Sequence, residues 1–110
     1  MDEIREILQI FINDVKREFG DSLKKIILYG SYARGDYKSN SDIDIMILTS
    51  LDDKDIRKYE EDITDAAFEI QMYSGKDISV IVKNEKQFNY WVGALPFYDN
   101  VQKDGVLLYG

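Results

Sequence analysis

Two apolar runs of strand length, Lys25-Ile26-Ile27-Leu28-Tyr29 and Asp42-Ile43-Asp44-Ile45-Met46-Ile47-Leu48, are separated only by the polar stretch 30–41. Both runs are rich in isoleucine, and the first stops at Gly30, the signature of short buried strands. A parallel neighbour would need a crossover of a dozen or more residues, usually a helix. The stretch between them is crowded with Gly, Ser, Asp and Asn and holds at most one helical turn after Ser31. The sheet that contains these strands is therefore expected to be mixed.

The flanking segments read as helices and one more pair of strands. Ile4, Ile7, Leu8, Phe11, Val15 and Phe19 recur at helical spacing over residues 2–19, and Gly20 stops the pattern. Asp52 and Asp53 open a second helix, whose apolar face (Ile56, Tyr59, Ile63, Ala66, Ala67, Ile70) runs to about residue 73 before Gly75. Ile78–Val82 reads as the third strand, and Asn84 caps a short helix carrying Phe88, Tyr90, Trp91 and Val92. Pro96 interrupts the chain, residues 98–103 read as one or two helical turns, and Val106–Tyr109 as a terminal strand. Helices alternating with strands predict an α/β (α+β) fold, a small mixed β-sheet covered by helices. At 110 residues, with no repeat or linker, residues 1–110 are read as one domain.

Composition removes whole classes of chemistry. The chain has no histidine and no cysteine, which excludes imidazole acid–base catalysis, thiolate zinc sites and disulfides. Its net charge of −7 gives it no electrostatic reason to hold a nucleic acid duplex. No apolar run approaches the ~20 residues of a membrane span, and Met1-Asp2-Glu3 lacks the basic start of a secretory signal. The expected setting is the cytoplasm.

What remains is carboxylate and phosphate chemistry. Side chains alternate along a strand, so Asp42 and Asp44 face one way and Ile43, Ile45 and Ile47 face the other, toward the helices. Two adjacent carboxylates repel, and a divalent cation between them removes the repulsion. Magnesium takes one or two carboxylates plus substrate phosphates, and in two-metal sites one ion serves the attacking oxygen and the other the leaving group. Gly30 lets a ligand approach the backbone closely, Ser31 adds an N–H and a hydroxyl, and Arg34 adds a fixed cation for phosphate. By average residue usage, the spaced pattern would recur by chance in on the order of one in a thousand chains of this length, which favours reading Gly30, Ser31, Asp42 and Asp44 as one site.

Gly30-Ser31, ten intervening residues, then Asp42-Ile43-Asp44 resembles the core motif of the polymerase-β-like nucleotidyltransferase superfamily. The fuller Gly30-Ser31-Tyr32-Ala33-Arg34-Gly35 with Ser41-Asp42-Ile43-Asp44 is similar to its small prokaryotic branch, the minimal nucleotidyltransferases. The resemblance implies magnesium-dependent transfer of AMP from ATP, with Asp42 and Asp44 on the metals. It also implies a helical HEPN-domain partner, a toxin ribonuclease that the nucleotidyltransferase neutralises as antitoxin by adenylylating a tyrosine. The family's third acidic residue falls approximately at Asp77, before Ile78, where it would bind metal and help deprotonate the acceptor. A helix-to-strand turn, Gly75-Lys76-Asp77, is an equally good reading of the same residues. Glu69 is the weaker substitute, on a helix and facing solvent.

Two other functions fit the same residues: neutralising a partner by binding alone, and nucleotidylation of a small polycation such as an aminoglycoside. Phe88, Tyr90, Trp91, Phe97 and Tyr98 are read as closing the small core rather than as an acceptor surface. The acidic helix from Asp52 to Asp65 is read as a solvated face, and Lys38, Lys54, Lys83 and Lys86 carry no assignment.

Overall fold

In the computed structural model, which describes residues 2–110, four strands form one mixed sheet in the order β3-β2-β1-β4. Met1, the first residue of the N-terminal sequence read above, lies outside the described residues. The strands are β1 (Leu23–Tyr29), β2 (Ile43–Thr49), β3 (Ile78–Asn84) and β4 (Val106–Tyr109). The helices are α1 (Asp2–Phe19), α2 (Gly30–Arg34), α3 (Asp53–Arg57), α4 (Glu60–Ser74), α5 (Glu85–Trp91) and α6 (Pro96–Asp104). As the short connection requires, β1 and β2 are antiparallel, while β2 and β3, joined through α3 and α4, are parallel. No helix among the described residues is long and apolar enough to cross a membrane.

Alternation along β2 divides the interior in two. Ile43, Ile45 and Ile47 pack with Ile26 and Leu28 against Ile7, Phe11 and Val15 of α1 and Ile63, Ala66 and Ile70 of α4. The opposite face is polar only at its start. After Asp44 it continues as Met46 and Leu48, which join Ile27, Tyr29, Phe88 of α5 and Val101 of α6 in a second core. Full burial of a Leu or Ile side chain contributes ~1.5–3 kcal/mol, so both faces stabilise β2. The aspartates sit where this second face meets solvent.

Three expectations need correction. The helix expected from Asp52 to about residue 73 is two helices. Asp52 caps the first through the backbone N–H of Asp55 at 2.9 Å. Lys58 and Tyr59 then close with i+3 bonds to Asp55 and Ile56, a tightening that ends an α-helix. The break lets Tyr59 stack on Phe19, ring centroids 4.7 Å apart. Pro96 does not merely interrupt the chain; it is the first residue of α6, where its missing N–H costs nothing. The aromatic group does not close the core as a whole. Phe88 is buried, but Tyr90, Trp91 and Phe97 are 75%, 44% and 43% exposed. A short sheet face already filled by Met46, Leu48 and Val101 has no room for three more rings.

Candidate active site

β1 delivers Tyr29 directly opposite Asp44 of β2, and the chain turns at once into α2. Gly30 makes that turn at φ +72°, a conformation that a side chain disfavours. A Cβ placed there would overlap Oδ2 of Asp44 and lie 3.1 Å from its Cγ. The glycine is thus required twice, once by the backbone and once by the carboxylate beside it. α2 is pinned by Tyr32, which is buried in the first core and stacks on Tyr37 at 4.2 Å. It ends at Gly35, φ +86°, whose N–H bonds the carbonyl of Ser31 at 2.9 Å.

Gly30, Ser31, Arg34 and Asp44 line one open cavity of about 390 Å³, together with Tyr29 and with Phe97, Asn100, Val101 and Asp104 from α6. Arg34 reaches Asp36 at 3.3 Å, an exposed pair that leaves most of the guanidinium free for another anion. Burial raises the pKa of Asp44, the neighbouring charge of Asp42 raises it further, and Arg34 works against both. Tyr29 is pushed up to about 12 by burial and by Asp44, so its phenol stays protonated.

Asp42 is exposed at the entry to β2. It follows a tight turn in which the Ser41 hydroxyl accepts from the Lys38 N–H at 2.8 Å and the Ser41 N–H donates to the Lys38 carbonyl. Asp77 is exposed at the entry to β3, and its carbonyl accepts from the Ile43 N–H at 2.9 Å. The parallel register pairs Ile43 with Ile78 and Asp44 with Ser79, which sets Asp77 beside Asp42 and one step out from Asp44. Asp77 does not line the cavity, and among the described residues no three acidic side chains gather closely enough to hold a metal ion. Glu69 is exposed on α4, in a separate acidic hollow with Asp62 and Asp65.

Asn100 and Asp104 carry no assignment in the sequence, and Phe97 is expected there to close the core rather than to line a site. They come from α6, brought over the site by the packing of Val101 on the second core, and no local pattern announces that contact. Tyr29 could have been found, because it occupies the strand position before the turn.

The cavity offers a backbone cradle, the Arg34 cation and the Asp44 carboxylate, while Asp42, whose charge reaches Asp44, does not line it; the arrangement is suited to a metal-bound polyphosphate. Residues 8–108 match the family described as "Nucleotidyltransferase domain". A Methanocaldococcus jannaschii protein named as a candidate protein adenylyltransferase is 37% identical over 99 residues, covering 90% of this chain and 91% of its own. The chain also superposes on a solved toxin–antitoxin structure with AMP-PNP (TM-score 0.58, 24% identity, 91% of this chain and 71% of that one). A further likeness is to a complex of tri-AMPylated Shewanella oneidensis HEPN toxin with MNT antitoxin (TM-score 0.51, 20% identity, 94% and 72%). At these identities the two structures speak for the fold, while the matched residues, nearly the whole chain, establish that it belongs to the nucleotidyltransferase domain family.

Proposed function

We propose that this nucleotidyltransferase transfers AMP from Mg-ATP to a hydroxyl of a partner protein in the cytoplasm, as the antitoxin of a HEPN toxin. The observation that carries the reading is the contact of Gly30 with Asp44, which puts the phosphate cradle directly against an acidic oxygen. The acceptor reading draws on the name of the Methanocaldococcus relative and on the HEPN complex, each a statement about those proteins.

Asp42 and Asp44 suit magnesium. They are hard oxygen donors, and burial first and the Asp42 charge second, which together raise the Asp44 pKa, are what a divalent cation would offset. When bound, the ions supply charge neutralisation for the triphosphate. The Gly30 and Ser31 N–H groups and Arg34 orient the phosphates. The acceptor oxygen bonds to the α-phosphorus, the bond from that phosphorus to the bridging oxygen breaks, and pyrophosphate leaves. The hydroxyl proton passes to a carboxylate, for which Asp77, next to Asp42 by register, is the acid on β3. Phosphoryl chemistry of this kind depends on positioning and electrostatics more than on covalent participation.

A second reading, inhibition by binding with little catalysis, is favoured by one observation: Asp77 is not gathered with Asp42 and Asp44. ATP labelled at the α-phosphate, incubated with the chain, magnesium and a HEPN toxin, separates the two. Label on the toxin, with loss of toxin activity only when ATP is present, supports the enzyme. Full inhibition without ATP and without label supports binding alone.

A further inference from the structure

The two edges of the sheet are built differently. β4 is four residues long and its pairing with β1 slips between Ile26 and Ile27, features that blunt an edge. β3 is seven residues long and keeps an unbroken register against β2 from Ile78 to Asn84. Its middle, Ser79-Val80-Ile81-Val82, carries no proline and no charge. Beside it runs a largely apolar groove of about 460 Å³, walled by Ile56, Ile63 and Ala67 with Glu60 and Thr64 on the helices and by Ile78, Val80 and Val82 on the strand. The Asp77 carbonyl points toward β2, so by alternation the N–H and C=O groups of Ile78, Val80 and Val82 point outward, away from the sheet.

We propose that the outer edge of β3 pairs with β3 of a second copy, antiparallel and centred on Val80, to make one continuous sheet across a two-fold axis. The charges at the strand ends select this partner and this register. Centring on Val80 places Ile78 opposite Val82 and Asp77 opposite the second copy's Lys83, a pair that the symmetry makes twice. Antiparallel partners lie on the same face, so a one-residue slip is forbidden by the alternation. Centring on Ile81 instead would pair Ile78 with Asn84 and leave Asp77 beyond the end of the partner strand, where the chain has turned into α5, so the attraction to Lys83 would be lost. With Val80 at the centre, the outward groups of Val80 exchange ladder bonds with those of the second copy's Val80, and those of Ile78 with those of its Val82, and the groove on each copy is extended by the apolar side chains of the other strand. A carboxylate has two oxygens, so pairing at Asp77 is compatible with the acid role given to it above, and the dimer stands independently of that role.

Sedimentation equilibrium of the full chain, from low to high micromolar concentration, reads the association directly. The expected mass at high concentration is twice the 12.8 kDa chain. Lys83→Glu, at a half-exposed position, weakens dimerisation by about tenfold or more, since two attractions become two repulsions. Asp77→Lys combined with Lys83→Glu restores it. Amide exchange at Ile78, Val80 and Val82 slows with concentration. A monomer at all concentrations, a dimer indifferent to Lys83→Glu, or a charge-swapped double variant that stays monomeric while its circular dichroism matches the parent would each overturn the proposal. Protection of the β3 amides only when another protein is added, with the chain alone monomeric, would assign the edge to that protein and overturn it as well.

Discussion

Gly30 packs its Cα against the carboxylate of Asp44 with no space for a Cβ between them. The contact joins two requirements of the site, because the same backbone turn that exposes the N–H groups also fixes the acidic oxygen. Gly30→Ala must strain a positive-φ position, costing ~1–2 kcal/mol, and must push Asp44 aside. The expected result is a modestly lowered melting temperature with AMP transfer reduced on the order of 100-fold, as for an ångström-scale misplacement of a reacting group. Thermal unfolding and initial rates of the same preparation check both halves.

Asp44→Asn separates stability from activity. Burial first, and Asp42 second, raise the Asp44 pKa in the folded protein above its unfolded value. The folded state therefore holds this proton more tightly, and without metal its contribution to stability falls as pH rises from the ordinary carboxylate range through the raised value. Asn removes that loss. In EDTA near neutral pH the variant should melt at a slightly higher temperature than wild type, the gap should close as the pH is lowered through that window, and transfer should be absent. Magnesium competes with the same proton, so its affinity for wild type should increase as pH rises.

How much of this was readable from the residues follows from the range of the interactions involved. The strands, the caps at Asp52 and Asn84 and the stop at Gly75 rest on neighbours a few positions apart, and the local pattern carries them. Gly30 and Asp44 were legible because their chemistry is unusual for their spacing. The wall from α6 was not, because Phe97, Asn100 and Asp104 reach the cavity only through the packing of Val101 on β1 and β2. Exposure of Tyr90 and Trp91 was also hidden, since an aromatic run has the same sequence whether a sheet face has room for it or not.

That last point is measurable. Phe88 is buried in the second core, so Phe88→Ala should cost ~3–5 kcal/mol of unfolding free energy. Trp91→Ala, at an exposed position, should cost less than about 1 kcal/mol. Urea unfolding of the two variants distinguishes a core ring from a surface ring, and equal losses would mean that the aromatic run is core throughout.

Arg34→Ala should be nearly silent in stability, within about 0.5 kcal/mol, because its ion pair with Asp36 is exposed. It should lower kcat/KM for ATP by roughly 10–100-fold, as expected when one charged contact to a transferring phosphate is lost. The steady-state kinetics of Arg34→Lys give the complement: a partial recovery, since a lysine keeps the charge and loses the planar fork.

The most direct test of the account is the rate at which a HEPN toxin gains the mass of AMP, followed by intact-protein mass spectrometry with ATP and magnesium. With the wild-type chain the modified toxin should accumulate, and EDTA should stop it. With Asp42→Asn and Asp44→Asn together the rate should fall to background while the circular dichroism of the chain is unchanged. Modification at the wild-type rate by that double variant would contradict the assignment of the two aspartates and the mechanism built on them.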